Sequence, residues 1–319
     1  MTDVLLVEDV WAEAFDDRFR RFTVRREHAE PDRAALTRLM ADARALVVRN
    51  RTAVDGDLLA AAPRLEVVGR FGVGLDNIDV AAADARGVVV VAPLGANAVS
   101  VAEHTVGLAL ALSRELTRHD AAVRAGGWQR VPGRELAGRT WGLLGAGATG
   151  RAVARLAAAL RMRVLAHDPY LDRARADDVG IQFAGLDELL SSADVLSVHV
   201  PLTAGTRNFL DRAAFARMRR GALLISVGRG EVVDEGALAD ALRRGQLGGA
   251  GLDVRACEPP RPGPLDDAPN VIFTPHVAGI TLESQRRIAT IIAEDISAVL
   301  DGGAATHAVG VHRSARGAR

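Results

Sequence analysis

A glycine-rich segment near the middle of the chain constrains the fold most. The apolar run Thr140–Leu144 predicts a strand, Gly-Ala-Gly-Ala-Thr-Gly over 145–150 predicts a tight turn, and Arg151–Leu160 predicts an alanine-rich helix. A second apolar run, Arg163–Ala166, predicts the next strand and is followed closely by Asp168. A strand, a Gly-x-Gly-x-x-Gly turn, a helix and an acid after the second strand form the order of a dinucleotide-binding βαβ unit.

The spacing assigns a task to each glycine of this segment. Gly145 allows the tight turn, Gly147 lets the backbone approach the pyrophosphate, and Gly150 lets the helix pack on the strand. The N-terminus of the helix offers free N–H groups and a partial positive charge to the pyrophosphate. We therefore expect this segment to bind a dinucleotide.

The acid after the second strand indicates which dinucleotide is bound. Asp168 can accept hydrogen bonds from ribose hydroxyls and would repel a 2′-phosphate, so the sequence predicts NAD rather than NADP. Arg173 and Arg175 lie further along and could weaken that preference, although we expect them at a solvated helix start.

Composition excludes several classes of protein. The 319 residues predict two domains of ordinary size, and 49% hydrophobic with 25% charged residues indicates a globular protein with a sizeable core. Lys+Arg and Asp+Glu are both 40, so the charge balance predicts neither a nucleic-acid nor a membrane partner. The single Cys and an acidic N-terminus without a signal peptide predict a cytoplasmic protein. No pair of His or Cys residues has metal-ligand spacing, so we expect no metal site.

Apolar runs alternate with helical patterns along the chain, which predicts parallel sheets covered by helices. The predicted strands outside the glycine-rich segment are Val4–Val7, Ala45–Val48, Leu65–Val68, Val88–Val91, Val195–Val200, Ala222–Val227, Gly249–Leu252 and Val271–Phe273. The predicted helices are Asp32–Ala43, Asp55–Ala62, Ser100–Arg118, Glu235–Arg244 and Leu282–Leu300. Residues 307–319 lack apolar periodicity, and we expect them to form a frayed end.

Charged side chains interrupt apolar strand ends downstream of the glycine-rich segment. Arg229 follows a predicted strand and lies between two glycines, Asp253 ends another strand, and His276 comes just past a third. Glu258 follows shortly after Asp253. Because open parallel sheets bind ligands at the carboxyl ends of their strands, these four residues are candidate functional residues.

Together these segments resemble the D-isomer-specific 2-hydroxyacid dehydrogenases, a family that includes phosphoglycerate dehydrogenases, glyoxylate/hydroxypyruvate reductases and D-lactate dehydrogenases. The matching segments are Val68–Asp79, Ser100–Thr105, the glycine-rich turn 145–150, and those around Arg229, Glu258 and His276. The resemblance is to a phosphoglycerate dehydrogenase-like short form without a regulatory domain. It implies an α/β protein with two doubly wound parallel-sheet domains, an active site in the cleft between them, and a homodimer. The resemblance also implies that a Rossmann NAD-binding domain, residues 99–281, is inserted into a flavodoxin-like substrate-binding domain, residues 1–98 plus 282–319.

The resemblance also implies roles for single residues. Arg229 binds the substrate carboxylate and polarises the carbonyl, His276 exchanges the proton, and Glu258 orients His276. Val73 and Gly74 offer backbone N–H groups to the substrate carboxylate, and Asp253 accepts a hydrogen bond from the nicotinamide carboxamide. The implied cofactor-binding residues are Gly145, Gly147, Ala148, Thr149, Gly150, Asp168, Val200, Val227, Gly228, Asp253 and Gly279.

Four residues depart from the pattern of the family. Ser226 and Gly228 replace a common Asn and a common Ala, and both are small enough to be tolerated. Arg255 replaces a commonly aromatic or apolar residue, which predicts a disturbed loop before Glu258 and an additional cation near the cleft. Phe71 stands where phosphoglycerate dehydrogenases commonly have Ala, and we expect it to reshape the site near the substrate carboxylate.

Arginines at strand ends of the first domain bear on the substrate. Phosphoglycerate dehydrogenases place arginines at positions matching Arg49 and Arg70, with Arg51 close by, to hold a phosphate. The resemblance therefore implies a substrate with a second anionic group: a phosphate, phosphonate, sulfonate or carboxylate. The alternative is that one or two of these arginines pair with acids such as Asp55 or Asp79.

The sequence thus predicts an NAD-dependent oxidoreductase that transfers a hydride between nicotinamide and a small anionic 2-hydroxy or 2-keto acid. A general glyoxylate/hydroxypyruvate reductase is the alternative with the same chemistry. A non-catalytic NAD(H)-sensing protein, similar to the corepressors built on this fold, is an alternative of another class. Oxidation of an anion such as formate or phosphite on the same scaffold is a third.

Overall fold

The chain forms two compact α/β units in a computed structural model that describes residues 2–8, 10, 15, 17–27, 31–171 and 180–312. One unit comprises residues 1–97 with 280–319, and the other comprises residues 98–279. Each is built on one mostly parallel sheet with helices, which confirms the predicted fold class. No helix within the described residues is both long enough and apolar enough to cross a membrane.

The first unit begins with alternating strands and helices. Its strands are β1 (Thr2–Val7), β2 (Val24–Glu27), β3 (Ala43–Val48), β4 (Val67–Arg70) and β5 (Val89–Val91), and its helices are α1 (Arg33–Met40), α2 (Gly56–Ala60) and α3 (Val80–Ala85). Asp32, Asp55 and Asp79 cap the three helices by accepting a backbone N–H group of the first turn. Asp55 and Asp79, expected as alternative partners of the substrate arginines, therefore have another task.

The second unit contains the glycine-rich turn. Its helices are α4 (Ala98–Ser113), α5 (Leu116–Arg124), α6 (Ala148–Ala159), α7 (Leu186–Ser192), α8 (Arg212–Arg217) and α9 (Glu235–Arg243), and its strands are β6 (Thr140–Leu144), β7 (Arg163–His167), β8 (Gln182–Phe183), β9 (Val195–Val198), β10 (Ala222–Ser226), β11 (Leu247–Leu252) and β12 (Val271–Phe273). The single helix predicted over Ser100–Arg118 is wrong. Glu115, between α4 and α5, has a φ of 51°, a left-handed conformation that interrupts the helix.

The last described segment belongs to the first unit. Helix α10 (Leu282–Leu300) begins at a capping box formed by Thr281 and Ser284. Strand β13 (Ala308–Val309) pairs antiparallel with β5, so the predicted frayed end is wrong for residues 307–312. The Asp295 carboxylate holds this strand by accepting the His307 amide N–H at 2.8 Å. Residues 313–319 lie outside the described residues.

Strand order explains why the candidate residues gather at sheet edges. The first sheet has the order β13-β5-β4-β3-β1-β2, which is flavodoxin-like with an added antiparallel edge strand. The second has the Rossmann-like order β12-β11-β10-β9-β6-β7-β8 and is parallel throughout. Because neighbouring parallel strands end at the same edge, the loops after β1, β3 and β4 share one edge, and those after β6, β7, β9, β10, β11 and β12 share another.

Packing of α10 on β4 joins the two ends of the first unit. Ile292 and Ile296 of α10 are fully buried in the core between the helix and the sheet. A Cβ atom at Gly69 of β4 would lie 2.7 Å from Ile292 Cγ2 and 2.9 Å from Ile296 Cδ1. Only glycine therefore permits this close approach of helix and strand.

We expect Gly69→Ala to destabilise the first unit by about 1–3 kcal/mol, because the added methyl group overpacks the α10 contact. The midpoint of urea unfolding, followed by circular dichroism, measures this loss. Gly56→Ala is the matched control in the same unit, since its Cβ would meet only the Ala82 methyl group at 3.8 Å. Equal midpoints for the two variants would contradict the tight packing of α10.

Candidate active site

A buried carboxylate holds the turn that carries His276. Asp253 follows β11, and its Oδ1 accepts hydrogen bonds from the Thr274 hydroxyl and, at 2.9 Å, from the Val277 amide. Its Oδ2 accepts from the Ala278 amide at 2.8 Å. The His276 amide donates to the Asp253 carbonyl at 2.7 Å, and His276 has a φ of 55°. Asp253 therefore stabilises a backbone conformation that non-glycine residues seldom adopt.

Helix α4 contributes a second histidine to this network. His104 Nε2 lies 3.0 Å from Thr274 Oγ1 and 3.6 Å from Asp253 Oδ1. Because the Thr274 hydroxyl donates its proton to Asp253, its oxygen is left to accept the N–H of His104. The matched segment Ser100–Thr105 thus supports the turn of His276 from a distant part of the sequence.

Glu258 pairs directly with His276. Its Oε2 lies 2.7 Å from His276 Nδ1, and its Oε1 accepts the Arg255 amide at 3.1 Å. Burial disfavours the ionised form of Glu258, but hydrogen bonds from His276 and from the Arg255 amide, with the charge of Arg229, hold the pKa of Glu258 below its usual value. The ionised carboxylate accepts a hydrogen bond from the Nδ1–H group of His276, which leaves Nε2 to exchange a proton with a ligand.

Arg229 lies on the loop after β10, and this loop packs against the loop that leads to Glu258. A Cβ atom at Gly230 would lie 2.0 Å from the carbonyl carbon of Arg255, so only glycine permits the contact. Arg229 Nη1 donates to the Gly228 carbonyl at 2.8 Å, and its positive charge acts on Glu258. Arg229, Glu258 and His276 are thus neighbours at one edge of the second sheet.

Arg255 anchors the loop, and the prediction that it disturbs the loop is wrong. Its guanidinium donates two hydrogen bonds of 3.0 Å to Glu235, and only 10% of its side chain is exposed. Glu235 also accepts the Ala256 amide at 2.9 Å, and Arg255 stacks 4.9 Å from the ring centre of Phe273. Sequence reasoning missed Glu235, although an acid directly after the capping residue of a predicted helix is a detectable signal.

The glycine-rich turn fits a dinucleotide. Gly145 has a φ of 92°, and a Cβ atom at Gly150 would lie 2.3 Å from the Gly145 carbonyl oxygen. A Cβ atom at Gly147 would meet no atom within 4 Å, so the chain itself leaves space there. The amides of Ala148 and Thr149 have no acceptor among the described residues. Open space beside free N–H groups at a helix N-terminus is the arrangement that binds a pyrophosphate.

Asp168, at the end of β7, connects the glycine-rich turn to the next loop. Its Oδ2 accepts the Ala146 amide at 2.9 Å, and its Oδ1 accepts the amides of Tyr170 and Leu171 at 3.0 and 3.1 Å. An ionised carboxylate has about four acceptor positions, so one of them remains for a ribose hydroxyl. The geometry of Asp168 is therefore compatible with the predicted contact.

Other predicted cofactor residues lie at the carboxyl edge of the second sheet, and Asp253 also binds the His276 turn. Val200, Val227, Gly228 and Gly279 follow β9, β10 and the His276 turn. The Asp253 side chain is 0% exposed and its hydrogen bonds go to that turn, so its contact with a carboxamide stays a prediction. Arg173 and Arg175 lie outside the described residues.

The arginines of the first unit occupy two strand ends. Arg70 is the last residue of β4, not a residue after it, and its Nη1 donates to the Phe71 carbonyl at 2.8 Å. Arg49 and Arg51 lie on the loop after β3. Arg51 Nε is 3.7 Å from Glu8 Oε2, so Arg51 pairs with an acid that the sequence analysis did not name.

Two further expectations concern the residues that follow β4. Phe71 is 2% exposed and its ring lies 5.7 Å from that of Phe15, so it packs in the core of the first unit, and its effect on the site stays a prediction. Val73 and Gly74 are half-buried, and their amides have no acceptor within the described ranges. These two N–H groups are available to an anion.

Known proteins match the chain in sequence. The sequence profile of the family described as D-isomer specific 2-hydroxyacid dehydrogenase, NAD binding domain, matches residues 106–278. D-3-Phosphoglycerate dehydrogenase of Mycobacterium leprae is 45% identical over 88% of this chain and 54% of that protein. (S)-Sulfolactate dehydrogenase of Chromohalobacter salexigens is 44% identical over 94% of this chain and 99% of that protein. The chain spans about half the length of the phosphoglycerate dehydrogenases it matches.

Solved structures match the chain in fold. The TT0316 protein from Thermus thermophilus has a TM-score of 0.89 and 35% identity, and the match covers 97% of this chain and 100% of that one. D-Lactate dehydrogenase from Aquifex aeolicus, in complex with NAD and lactic acid, has a TM-score of 0.84 and 29% identity over 93% of this chain and 96% of that one. The chain belongs to the family of D-isomer-specific 2-hydroxyacid dehydrogenases.

Proposed function

We propose that this protein is an NAD-dependent oxidoreductase that transfers a hydride between nicotinamide and a small anionic 2-hydroxy or 2-keto acid. The observation that carries the proposal is the 2.7 Å contact between His276 Nδ1 and Glu258 Oε2, at the sheet edge that also bears the glycine-rich turn. A histidine oriented by a carboxylate can donate a proton to a bound ligand and remove one from it. Arg229 supplies a positive charge beside the pair.

The proposed reaction assigns one step to each side chain. NADH supplies the hydride when it is bound. His276 donates a proton from Nε2 to the carbonyl oxygen of a 2-keto acid during reduction and removes it during oxidation. Glu258 keeps the ring oriented, and Arg229 pairs its planar guanidinium with the substrate carboxylate. The amides of Val73 and Gly74 are the proposed donors to a carboxylate of the substrate.

NAD is the proposed cofactor in preference to NADP. The free amides at the start of α6 and the open space at Gly147 fit the pyrophosphate. Asp168 keeps one acceptor position for a ribose hydroxyl, and its negative charge opposes a 2′-phosphate. The NAD complex of the D-lactate dehydrogenase relative supports the same choice.

The proposed substrate carries a second anionic group, which Arg49, Arg51 and Arg70 bind. Two relatives support this proposal by name, because phosphoglycerate and sulfolactate each carry a strong anion besides the carboxylate. Sulfur outranks oxygen in the naming of stereocentres, so the S label of sulfolactate denotes the same spatial arrangement as D-3-phosphoglycerate. One site geometry therefore suits both kinds of substrate.

A panel of 2-keto acids tests the proposal against its alternatives. NADH consumption is measured with glyoxylate, hydroxypyruvate, pyruvate, oxaloacetate, phosphohydroxypyruvate, phosphonopyruvate and sulfopyruvate. A kcat/KM for one dianion about a hundredfold above that for glyoxylate, roughly 3 kcal/mol, is the expected result. Turnover of glyoxylate and hydroxypyruvate alone would indicate a general reductase. Tight NADH binding without turnover would indicate a sensor, and oxidation of formate or phosphite instead would indicate the third alternative.

We expect His276→Ala to lower kcat by about 10²–10⁴-fold, because it removes the group that exchanges the proton. The dissociation constant for NADH, measured by fluorescence titration, should stay nearly unchanged, since the His276 side chain is not among the predicted cofactor contacts. His312→Ala is the control, because His312 is exposed. A variant that retains the wild-type kcat would remove His276 from this role.

We expect Arg70→Ala to raise KM for the preferred dianion by about 10–100-fold, the worth of one charge-assisted hydrogen bond, and to change KM for glyoxylate much less. Steady-state kinetics with both substrates measures the difference. Arg70→Lys keeps a charge in the buried position and tests whether loss of packing is responsible. Arg38→Ala, on an exposed face of α1, is the control. Equal changes in both KM values would show that Arg70 does not bind the second anion.

We also propose a homodimer formed by the second unit. Leu116 and Val123 of α5 are about half exposed, and Trp128 is 81% exposed at the start of a segment without helix or strand that continues to residue 136. Large apolar side chains exposed together mark association surfaces. The cytoplasmic location expected from the sequence stays a prediction.

We expect Trp128→Ala to weaken the dimer about 30-fold or more, the cost of removing an interface tryptophan. Sedimentation velocity across a dilution series measures the dissociation constant. Tyr170→Ala is the matched control, because this aromatic side chain is 96% exposed outside the segment. A wild-type protein that is monomeric at micromolar concentration would contradict the proposal.

A further inference from the structure

A single carboxylate binds four consecutive backbone N–H groups of the loop that carries Arg49 and Arg51. Glu8, directly after β1, accepts the amides of Arg49 and Thr52 on Oε1 at 3.0 and 2.9 Å. It accepts those of Asn50 and Arg51 on Oε2 at 3.2 and 3.1 Å. All of the roughly four acceptor positions of the carboxylate are therefore used within this loop.

Glu8 is buried, and its hydrogen bonds stabilise the ionised form of its carboxyl group. The residue is 3% exposed and has a φ of 66°, a left-handed conformation that costs free energy in a non-glycine residue. Burial disfavours its ionised form, but the hydrogen bonds from Thr52, Arg51 and Arg49 outweigh this effect and hold the pKa of Glu8 below its usual value. The loop thus favours the ionised form of Glu8.

Asn77 holds the same loop from its carbonyl side. Its Nδ2 donates to the carbonyls of Thr52, at 2.7 Å, and of Arg49, at 3.2 Å. Asn77 belongs to the segment Val68–Asp79, which matches the family, and Asn77 itself has no task in the proposed reaction. N–H groups and C=O groups of the loop 49–52 are thus bound by two side chains from different parts of the first unit.

We propose that Glu8 and Asn77 are positioning residues that set the specificity for a dianionic substrate by fixing the loop that carries Arg49 and Arg51. This inference rests on the proposed function, in which those arginines bind the second anion. Neither Glu8 nor Asn77 contacts the substrate. They act through the loop backbone, because its direction determines where the two guanidinium groups lie.

Substitution of Glu8 or of Asn77 should therefore raise KM for dianionic substrates only. In Glu8→Gln, an amide N–H faces the backbone N–H groups, so two acceptor positions are lost and the loop is released. We expect KM for sulfopyruvate to rise at least about tenfold and KM and kcat for glyoxylate to change less than about threefold. Sulfopyruvate is the probe because its sulfonate stays ionised throughout the assay range. Arg49→Ala is the benchmark and should give the same pattern.

Asn77→Ala provides a second variant that introduces no change of charge. It removes two hydrogen bonds from the other side of the loop, and we expect the same selective rise in KM for sulfopyruvate. Asp32→Ala is the matched control in this unit, since it also removes one side chain that accepts a backbone amide, that of Ala35 at 2.7 Å. Asp32→Ala should lower the midpoint of urea unfolding. It should not change KM for sulfopyruvate more than KM for glyoxylate.

The outcomes distinguish this inference from the proposed function. A wild-type protein without turnover of any panel member overturns both. A wild-type preference for sulfopyruvate that survives in Glu8→Gln and Asn77→Ala overturns the positioning role alone. Equal increases in both KM values would mean that Glu8 and Asn77 stabilise the unit without setting its specificity, which also overturns it.

Discussion

The site in the second unit depends on the buried carboxylate of Asp253. It accepts hydrogen bonds from the Thr274 hydroxyl and from the amides of Val277 and Ala278, which brackets His276 on both sides. Hydrogen bonds to a charged acceptor contribute about 1.5–3 kcal/mol each, and a left-handed non-glycine residue costs about 1–3 kcal/mol. The three bonds outweigh this cost. The strained conformation of His276 therefore persists, and the ring reaches Glu258.

Carboxylates that accept backbone N–H groups of a neighbouring loop also occur at other strand ends of the protein. Asp168 accepts the Ala146 amide of the glycine-rich turn, and Glu8 accepts four amides of the loop after β3. In each case an acid directly after one parallel strand binds the backbone that follows a neighbouring strand. The loops after the parallel strands would otherwise leave N–H groups without an acceptor. A carboxylate therefore fixes their shape at the carboxyl edge of the sheet, where α/β proteins bind ligands.

Much of the fold can be predicted from the sequence, because the patterns that indicate it lie within short stretches of the chain. The order of strand, glycines, helix and acid around 140–168 predicts the Rossmann unit, and apolar periodicity predicts α10 with the bounds observed. The family motifs predict Arg229, Glu258 and His276, which the structure brings together. Their roles, like those of the arginines, stay predictions until the variants are measured.

The errors arise where a distant partner decides the outcome. The prediction of a frayed end is wrong for residues 307–312 because Asp295 binds the backbone at β13. The prediction that Arg255 disturbs its loop is wrong because Glu235, on a separate helix, pairs with Arg255. The break at Glu115 has neither Gly nor Pro to mark it, so sequence alone gives no local signal there.

Charged residues at strand ends thus fall into two groups that the sequence does not separate. Asp253, Asp168 and Glu8 direct their oxygens to backbone amides, so substitution there changes the shape of a loop. Glu258 and His276 bond to each other through side chains that remain 35% and 38% exposed, so substitution there changes the chemistry while the loops persist. Relatives named for phosphoglycerate and for sulfolactate match this chain at nearly equal identity. Overall identity therefore does not distinguish the two kinds of substrate. Under the proposed function, the loop after β3, whose backbone the Glu8 carboxylate binds, is the place where such a difference would arise.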